Sequence, residues 1–329
     1  MKILVIGGTR FVGRHFVELA LASGHELTLF NRGKLNPGIF NDIEHYAGSR
    51  DTGLSNLPVK DRQWDCVLDT CGYLPRIVRR SAEYLKNSVK KYVFVSTVSV
   101  YADFSRAGLN EDSDLSRTDD PACETVTNEN YGPLKVLCEN AVIDIYRDNA
   151  LIVRPGLIVG PHDPTDRFTY WPVRIQKGGE VMAPAPATAP VQFIDGWDLA
   201  DFMLSMMAKD TGGIYNATGP ERPLTNGEFL DACNAVTGGQ ATFTWVSEKF
   251  LEENKCDLPG SMPENWYGID QVDCRRAMKH GLRFRPLAET IRDTLAWHAT
   301  RSAGYVLKVG PKPETEAELL KKWPAAEKS

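Results

Sequence analysis

Tyr131 and Lys135, four residues apart, could carry out proton chemistry at a hydroxyl or carbonyl group. On a helix that spacing puts both side chains on one face, where an ammonium beside a phenol favours phenolate and draws the tyrosine pKa down. Thr97, near the end of the β-branched run KYVFVSTVSVY, offers a hydroxyl able to orient a substrate oxygen toward Tyr131. A second group suits a different task. Gly7, Gly8 and Gly13, within GGTRFVG, lie between an apolar run and a helical pattern. There, backbone N–H groups and the helix dipole can receive a pyrophosphate.

The elements around these residues follow a simple rhythm. Lys2 to Ile6 (KILVI) is a continuous apolar run of the kind a parallel strand buried on both faces requires. RHFVELALASG then sets Phe16, Leu19, Ala20 and Ser23 at helical spacing and stops at Gly24, before ELTLF resumes strand character. The alternation continues with a short strand at 44–47, CVLDT at 66–70, a helix at 77–86, a strand from Lys91 to Tyr101, a helix from Tyr131 to Tyr146, and the strand ALIVRPGLIVG. This predicts an α/β fold, a Rossmann-type doubly wound parallel sheet over residues 1–160, with a smaller, discontinuous C-terminal substrate-binding domain. The polar segment from Ala102 to Asn130 is long for a connector and is expected to be functional or mobile. After Gly160, prolines and aromatics replace the rhythm. Residues 161–189 and 219–300 are assigned to the small domain, and 190–218 to a return to the first sheet. Residues 301–329 form a charged tail with one amphipathic piece around Leu319, Leu320 and Trp323.

The order of these pieces resembles the extended short-chain dehydrogenases, the family of nucleotide-sugar epimerases, dehydratases and related reductases. GGTRFVG resembles the family's cofactor turn, VSTVSVY its strand with a catalytic hydroxyl at Thr97, and YGPLK its tyrosine and lysine. RPGLIVGP, with Arg154, Pro155, Gly160 and Pro161, is similar to the strand and turn after the catalytic helix, and FIDGWDLA and IYNATG to the returning segments. The resemblance implies hydride transfer at a carbonyl carbon, with Tyr131 moving the proton, Thr97 bound to the oxygen, and Lys135 holding Tyr131 and the cofactor ribose. It implies further that Thr9, Arg10, Phe11 and Val12 lie beside the pyrophosphate, Asp69, Thr70 and Cys71 on the adenosine side, and Pro155 to Ile158 along the nicotinamide. Family dehydratases carry an Asp-Glu pair directly after the catalytic threonine. Val98 and Ser99 stand there in this chain, which disfavours dehydration.

In an NAD site an acidic residue at the end of the second strand usually accepts the ribose hydroxyls. Asn31 and Arg32 hold that place, and Arg32 with Arg10 could grip a ribose 2′-phosphate, so NADP is expected, with NAD still open. The resulting reading is an NADPH-linked reductase or dehydrogenase acting on a sugar-like or nucleotide-sugar substrate. The alternatives are an NAD-dependent nucleotide-sugar epimerase and, from another class, a non-catalytic NADP sensor or an RNA-binding protein like the chloroplast proteins that share the GGTRF-type turn. Tyr73, Arg174 and Gln192 are the substrate candidates, Arg174 for a phosphate or carboxylate. Phe168, Tyr170, Trp171 and Trp266 could border the same pocket, although packing explains them better.

With 25% charged residues and a net charge of −5, the chain has no general attraction to polyphosphate and no basic run to track a nucleic-acid backbone. The seven cysteines never form C-x-x-C, which argues against a disulfide framework or a zinc site and for a reducing, cytoplasmic setting. His162 and Asp163 lack companion ligands, so no metal is expected. Asp195 and Asp198 read as helix-capping residues. No segment approaches membrane-spanning length. A homodimer paired through the outer positions of the Tyr131 helix (Val136, Ala141, Val142 and Ile145) is possible, though a core-facing stripe would look the same.

Overall fold

The apolar run at the N-terminus forms a strand whose alternate side chains enter two different cores. In β1 (Lys2–Ile6), Ile3 and Val5 belong to one buried cluster and Leu4 and Ile6 to another, as period-two alternation requires of a strand covered on both sides. This computed structural model describes residues 1–209 and 211–326. After β1 come α1 (Phe11–Ala22), β2 (Glu26–Asn31), β3 (Glu44–Ala47), β4 (Trp64–Asp69), α2 (Pro75–Leu85), β5 (Val89–Val95), α3 (Asn128–Tyr146) and β6 (Ala150–Pro155). Then follow β7 (Leu157–Val159), α4 (Tyr170–Gln176), β8 (Gly179–Pro184), β9 (Pro190–Asp195), α5 (Gly196–Met207), β10 (Gly213–Ala217), β11 (Gly219–Thr225), α6 (Asn226–Thr237), β12 (Ala241–Val246), α7 (Glu248–Glu253), α8 (Arg275–Lys279), α9 (Leu287–Ala299) and α10 (Pro313–Ala326).

Seven parallel strands make the main sheet, in the order β3-β2-β1-β4-β5-β6-β10. This is the doubly wound α/β arrangement expected. From β1 the chain moves outward to β2 and β3, then crosses back to β4, and a crevice opens at the carboxyl ends of the strands where the order reverses. Phe16 and Val17 of α1 pack with Leu199, Met203 and Met206 of α5 on one face. Val78 and Leu85 of α2 pack with Cys138 and Val142 of α3 on the other.

Four boundaries differ from expectation, each for a local reason. The strand expected from Lys91 to Tyr101 stops at Val95, because Thr97 accepts the Ser99 N–H and starts a short 3-10 turn over Val98–Val100. The helix expected from Tyr131 starts at Asn128, three residues earlier. Thr127 Oγ1 accepts the Asn130 N–H while Asn130 Oδ1 accepts the Thr127 N–H, a capping box. ALIVRPGLIVG is two strands, with β7 joining a separate three-stranded sheet, β11-β9-β7. Residues 190–195 therefore lie in that small sheet, while only α5 and β10 return to the main one.

The C-terminal stretch is not a tail through its described residues. α10 closes a third core, in which Leu319 is buried with Trp171, Met182, Phe229, Leu230, Phe250 and Ile291. The polar segment after β5 is also anchored: Leu109 packs with Tyr101, Val136 and Val272, and the Asp273 N–H donates to the Leu109 carbonyl at 2.7 Å. Of the outer α3 positions considered for a dimer, Val136, Ala141 and Val142 are buried and Ile145 packs on the second core, so that stripe faces inward. Among the described residues no helix is long and apolar enough to cross a membrane.

Candidate active site

A cleft of about 740 Å³ follows the crevice at the strand ends, within the size range of small-molecule sites. The glycine turn after β1, the end of β2, the start of the β4–α2 connection and the first turns of α3 line it. At its floor, Gly13 packs so close to the turn that a Cβ there would sit 2.9 Å from the Gly8 backbone. Thr9, Arg10, Phe11 and Val12 pass along the wall, Phe11 with φ of 39° at the mouth of α1. Thr70 Oγ1 donates to the Ile6 carbonyl at 3.1 Å, tying β4 to the turn, and both Thr70 and Cys71 line the cleft. Burial raises the Cys71 thiol pKa, and its sulfur packs against the turn, 3.6 Å from the Ile6 carbonyl oxygen.

Asn31 lines the cleft with its side chain engaged. Nδ2 donates to the Gly7 carbonyl at 2.8 Å, and Oδ1 accepts the Gly33 N–H at 2.8 Å, so Asn31 braces the glycine turn. Arg32 and Lys34, next along the chain, and Arg10 at the start of α1 also line the cleft, exposed and, among the described residues, without an ion-pair or side-chain hydrogen-bond partner. The one carboxylate in that lining, Asp51, is paired with Arg76 at 2.7 Å and Arg80 at 3.5 Å.

Asp69 corrects an expectation. It is fully buried beneath the cleft, where it receives Arg50 through both terminal nitrogens (2.8 and 2.7 Å) and the Tyr92 hydroxyl at 2.8 Å. Its carboxylate is fully engaged, and the group it presents to the cleft is Arg50, which sequence reasoning missed. Pro155 is a second correction. As the last residue of β6 it is buried and pairs with Ala217, leaving Ile158 as the cleft-lining residue of that pair.

At the other end of the cleft stand Tyr131 and Lys135, on consecutive turns of α3. Their helix can reach the Thr97 turn because residue 132 is glycine: a Cβ there would lie 2.1 Å from the Ser99 carbonyl oxygen. The ammonium of Lys135 is buried, donates to the carbonyls of Val95 at 2.7 Å and Gly72 at 2.8 Å, and sits 4.1 Å from the centre of the Phe94 ring. Burial pulls its pKa down to about 8. Burial pushes the Tyr131 phenol up to about 12, with the Thr97 side chain opposing. The expected lowering of the tyrosine by the lysine is therefore absent, because the ammonium is directed into two backbone carbonyls. Tyr73, half exposed, lines the cleft with its ring 6.4 Å from that of Tyr131.

Beneath this end lies an ion pair that the sequence did not reveal. Arg154 and Glu139, both 1% exposed, meet at 2.6 and 3.0 Å, and the Ser96 hydroxyl donates to the same carboxylate. Arg154 also donates to the Tyr101 hydroxyl at 3.3 Å, which donates to Asn216 at 2.6 Å. The network joins Ser96 and Tyr101, which follow β5, to α3, β6 and β10.

The remaining substrate candidates are placed elsewhere. Arg174 pairs with Glu316 of α10 at 2.6 Å and donates to the Gly178 and Glu180 carbonyls, so it supports the small-domain core and does not line the cleft. Gln192 is held by both backbone groups of Val272, at 2.9 and 3.0 Å. Phe168, Tyr170 and Trp171 are buried in the third core, and Trp266 stacks on Phe104. Asp195 caps α5 by accepting the Trp197 N–H, and Asp198 accepts the Arg285 N–H. No group of three or more His, Cys, Asp or Glu among the described residues could hold a metal ion.

Known proteins resemble the chain in sequence and in fold. The model of the NAD dependent epimerase/dehydratase family matches residues 75–218. The chloroplast stem-loop binding protein of 41 kDa b from Arabidopsis thaliana is 26% identical over 257 residues, 72% of this chain; the match spans 63% of that protein, under two thirds of its length. The UDP-N-acetylglucosamine 4-epimerase from Bacillus cereus superposes with a TM-score of 0.66 at 18% identity, over 90% of this chain and 99% of that one. The UDP-glucuronic acid 4-epimerase from Bacillus cereus, in complex with NAD, gives 0.66 at 17%, over 90% and 98%. Across residues 75–218 the chain thus matches the NAD dependent epimerase/dehydratase family, and it shares the fold of these two epimerases.

Proposed function

We propose that the chain is an oxidoreductase that binds NADP(H) along the cleft and reduces a carbonyl, or oxidises the corresponding hydroxyl, of a sugar-like substrate at Tyr131. The observation that carries this reading is the cleft itself. It joins a close-packed glycine turn to Tyr131 and Lys135 and is lined by Arg10, Arg32 and Lys34, which are unpaired among the described residues, while Asp51 in its lining is already paired. The narrow Gly8–Gly13 approach suits a pyrophosphate against the N-terminus of α1, and the cations suit a ribose 2′-phosphate.

A nicotinamide dinucleotide held there would supply or accept the hydride. The chain's own contribution is at the oxygen. With its pKa near 12, Tyr131 carries its proton at neutral pH and can give it to an oxygen developing negative charge. Thr97, beside it, can donate a hydrogen bond to the same oxygen. Lys135, anchored on Gly72 and Val95, fixes a positive charge under the site and steadies the helix turn below Tyr131.

The test is a screen of aldoses and ketoses with NADPH, followed by nicotinamide absorbance, for wild type and Tyr131→Phe. Net oxidation of NADPH that falls by about 10²–10⁴-fold in the variant, with cofactor affinity kept, is expected. Epimerised sugar with no net change in nicotinamide, at tightly held NAD, would replace this reading with the epimerase one.

A further inference from the structure

With Arg174 engaged by Glu316, the substrate end of the cleft still needs a group to recognise an anion, and the loop after β7 provides one. This loop, residues 160–168, carries Pro164, which lines the cleft, and Arg167, which is exposed. It is clamped on two sides. Asp166, fully buried with φ of 63°, receives Arg301 at 2.7 Å, the Tyr305 hydroxyl at 2.9 Å and the Lys308 N–H at 3.2 Å. Arg301 is itself held between the rings of Trp297 and Tyr305, at 3.8 and 4.1 Å. On the other side, His162 meets Arg14 of α1 at 3.4 Å and packs against Trp297.

Arg167 is the one arginine of this loop, and it stands apart from the clamps around it. Among the described residues its hydrogen bonds are only to Thr165 Oγ1, from its backbone N–H and from Nε at 3.3 Å, and it forms no ion pair. Its two terminal nitrogens are left for a ligand. Its charge opposes the burial that raises the pKa of Tyr131, of Asp163 and of half-buried Asp270, and the loop that carries it borders the cleft at Pro164.

We propose that Arg167, presented by the clamped 160–168 loop, is the specificity residue that binds a phosphate or carboxylate on the substrate while the reacting oxygen meets Tyr131. The guanidinium's planar fork suits both anions through paired hydrogen bonds, and clamping on both sides of the loop limits the entropy lost when the ligand binds. The proposal rests on reading Tyr131 as the reacting end of the cleft.

Calorimetric titration with glucose 1-phosphate, glucuronate and glucose, of NADPH-saturated and of NADPH-free protein, decides it. At least one anionic probe is expected to bind about tenfold or more tightly than glucose. Arg167→Ala should erase that difference and Arg167→Lys keep part of it, both with wild-type NADPH affinity. No anion preference in wild type, or a preference that survives Arg167→Ala, would overturn the assignment. Failure of wild type to bind NADPH would count against the cofactor reading alone, since the NADPH-free titration still tests Arg167.

Discussion

The two halves of the molecule handle their cations differently. Around the glycine turn, Arg10, Arg32 and Lys34 line a cleft without ion-pair partners among the described residues, on a backbone fixed by Asn31 and Thr70. In the smaller part, Arg174 is paired with Glu316, Arg301 with Asp166, and Arg285 with Asp293 at 2.9 Å, whereas Arg167, like Arg222 and Arg292, forms no ion pair among the described residues. Residue type alone marks all of these as ligand candidates. Pairing separates those that hold the fold from those left for an anion, because a cation already bonded to a buried carboxylate cannot leave it without exposing an uncompensated charge.

That difference makes predictions of graded size. Arg154→Met, which strands Glu139 in the core, should cost about 3–5 kcal/mol in urea unfolding; a change below about 1 kcal/mol would mean that the pair is not structural. Arg174→Met should follow at about 2–3 kcal/mol, because Glu316 is 3% exposed and would keep only the Met182 N–H. Phosphate-bearing probes should bind that variant as they bind wild type.

A smaller effect should appear in the pH profile. Burial raises the Asp270 carboxyl pKa from 3.8 to about 7, so the folded chain holds this proton more tightly than the unfolded one. Stability from this group is thus greatest at low pH and declines as pH rises from about 4 to 7. Asp270→Asn should remove the decline, so melting curves of the two proteins should diverge toward neutral pH. Parallel curves would show that the carboxyl ionises freely.

Legibility followed the range of the interaction. The continuous apolar run of β1, the glycine turn and the Tyr131–Lys135 spacing are local signals, and Gly7, Gly13, Tyr131 and Lys135 line one cleft. The capping box of Thr127 and Asn130 was local too, and reading it would have started α3 at the right residue. Arg50 could not be found this way, since its partner Asp69 arrives from another strand. Arg174 and Glu316 are 142 positions apart, so nothing near Arg174 shows that it is engaged. α10 passed as a tail because a short amphipathic segment has little periodic signal and takes its stability from the core it covers.

The most direct test of the central claim is calorimetric titration of NADP(H) and NAD(H) into wild type and Arg32→Asp. Arg32 is unpaired, so the substitution should change the melting temperature little, about 0.5 kcal/mol or less in stability. The account predicts tighter binding of NADP(H) by wild type and a preference reversed toward NAD(H) in the variant. Tight NAD(H) binding that ignores Arg32 would contradict the assignment of the free cations to a 2′-phosphate, and no binding of either dinucleotide would contradict the cofactor site itself.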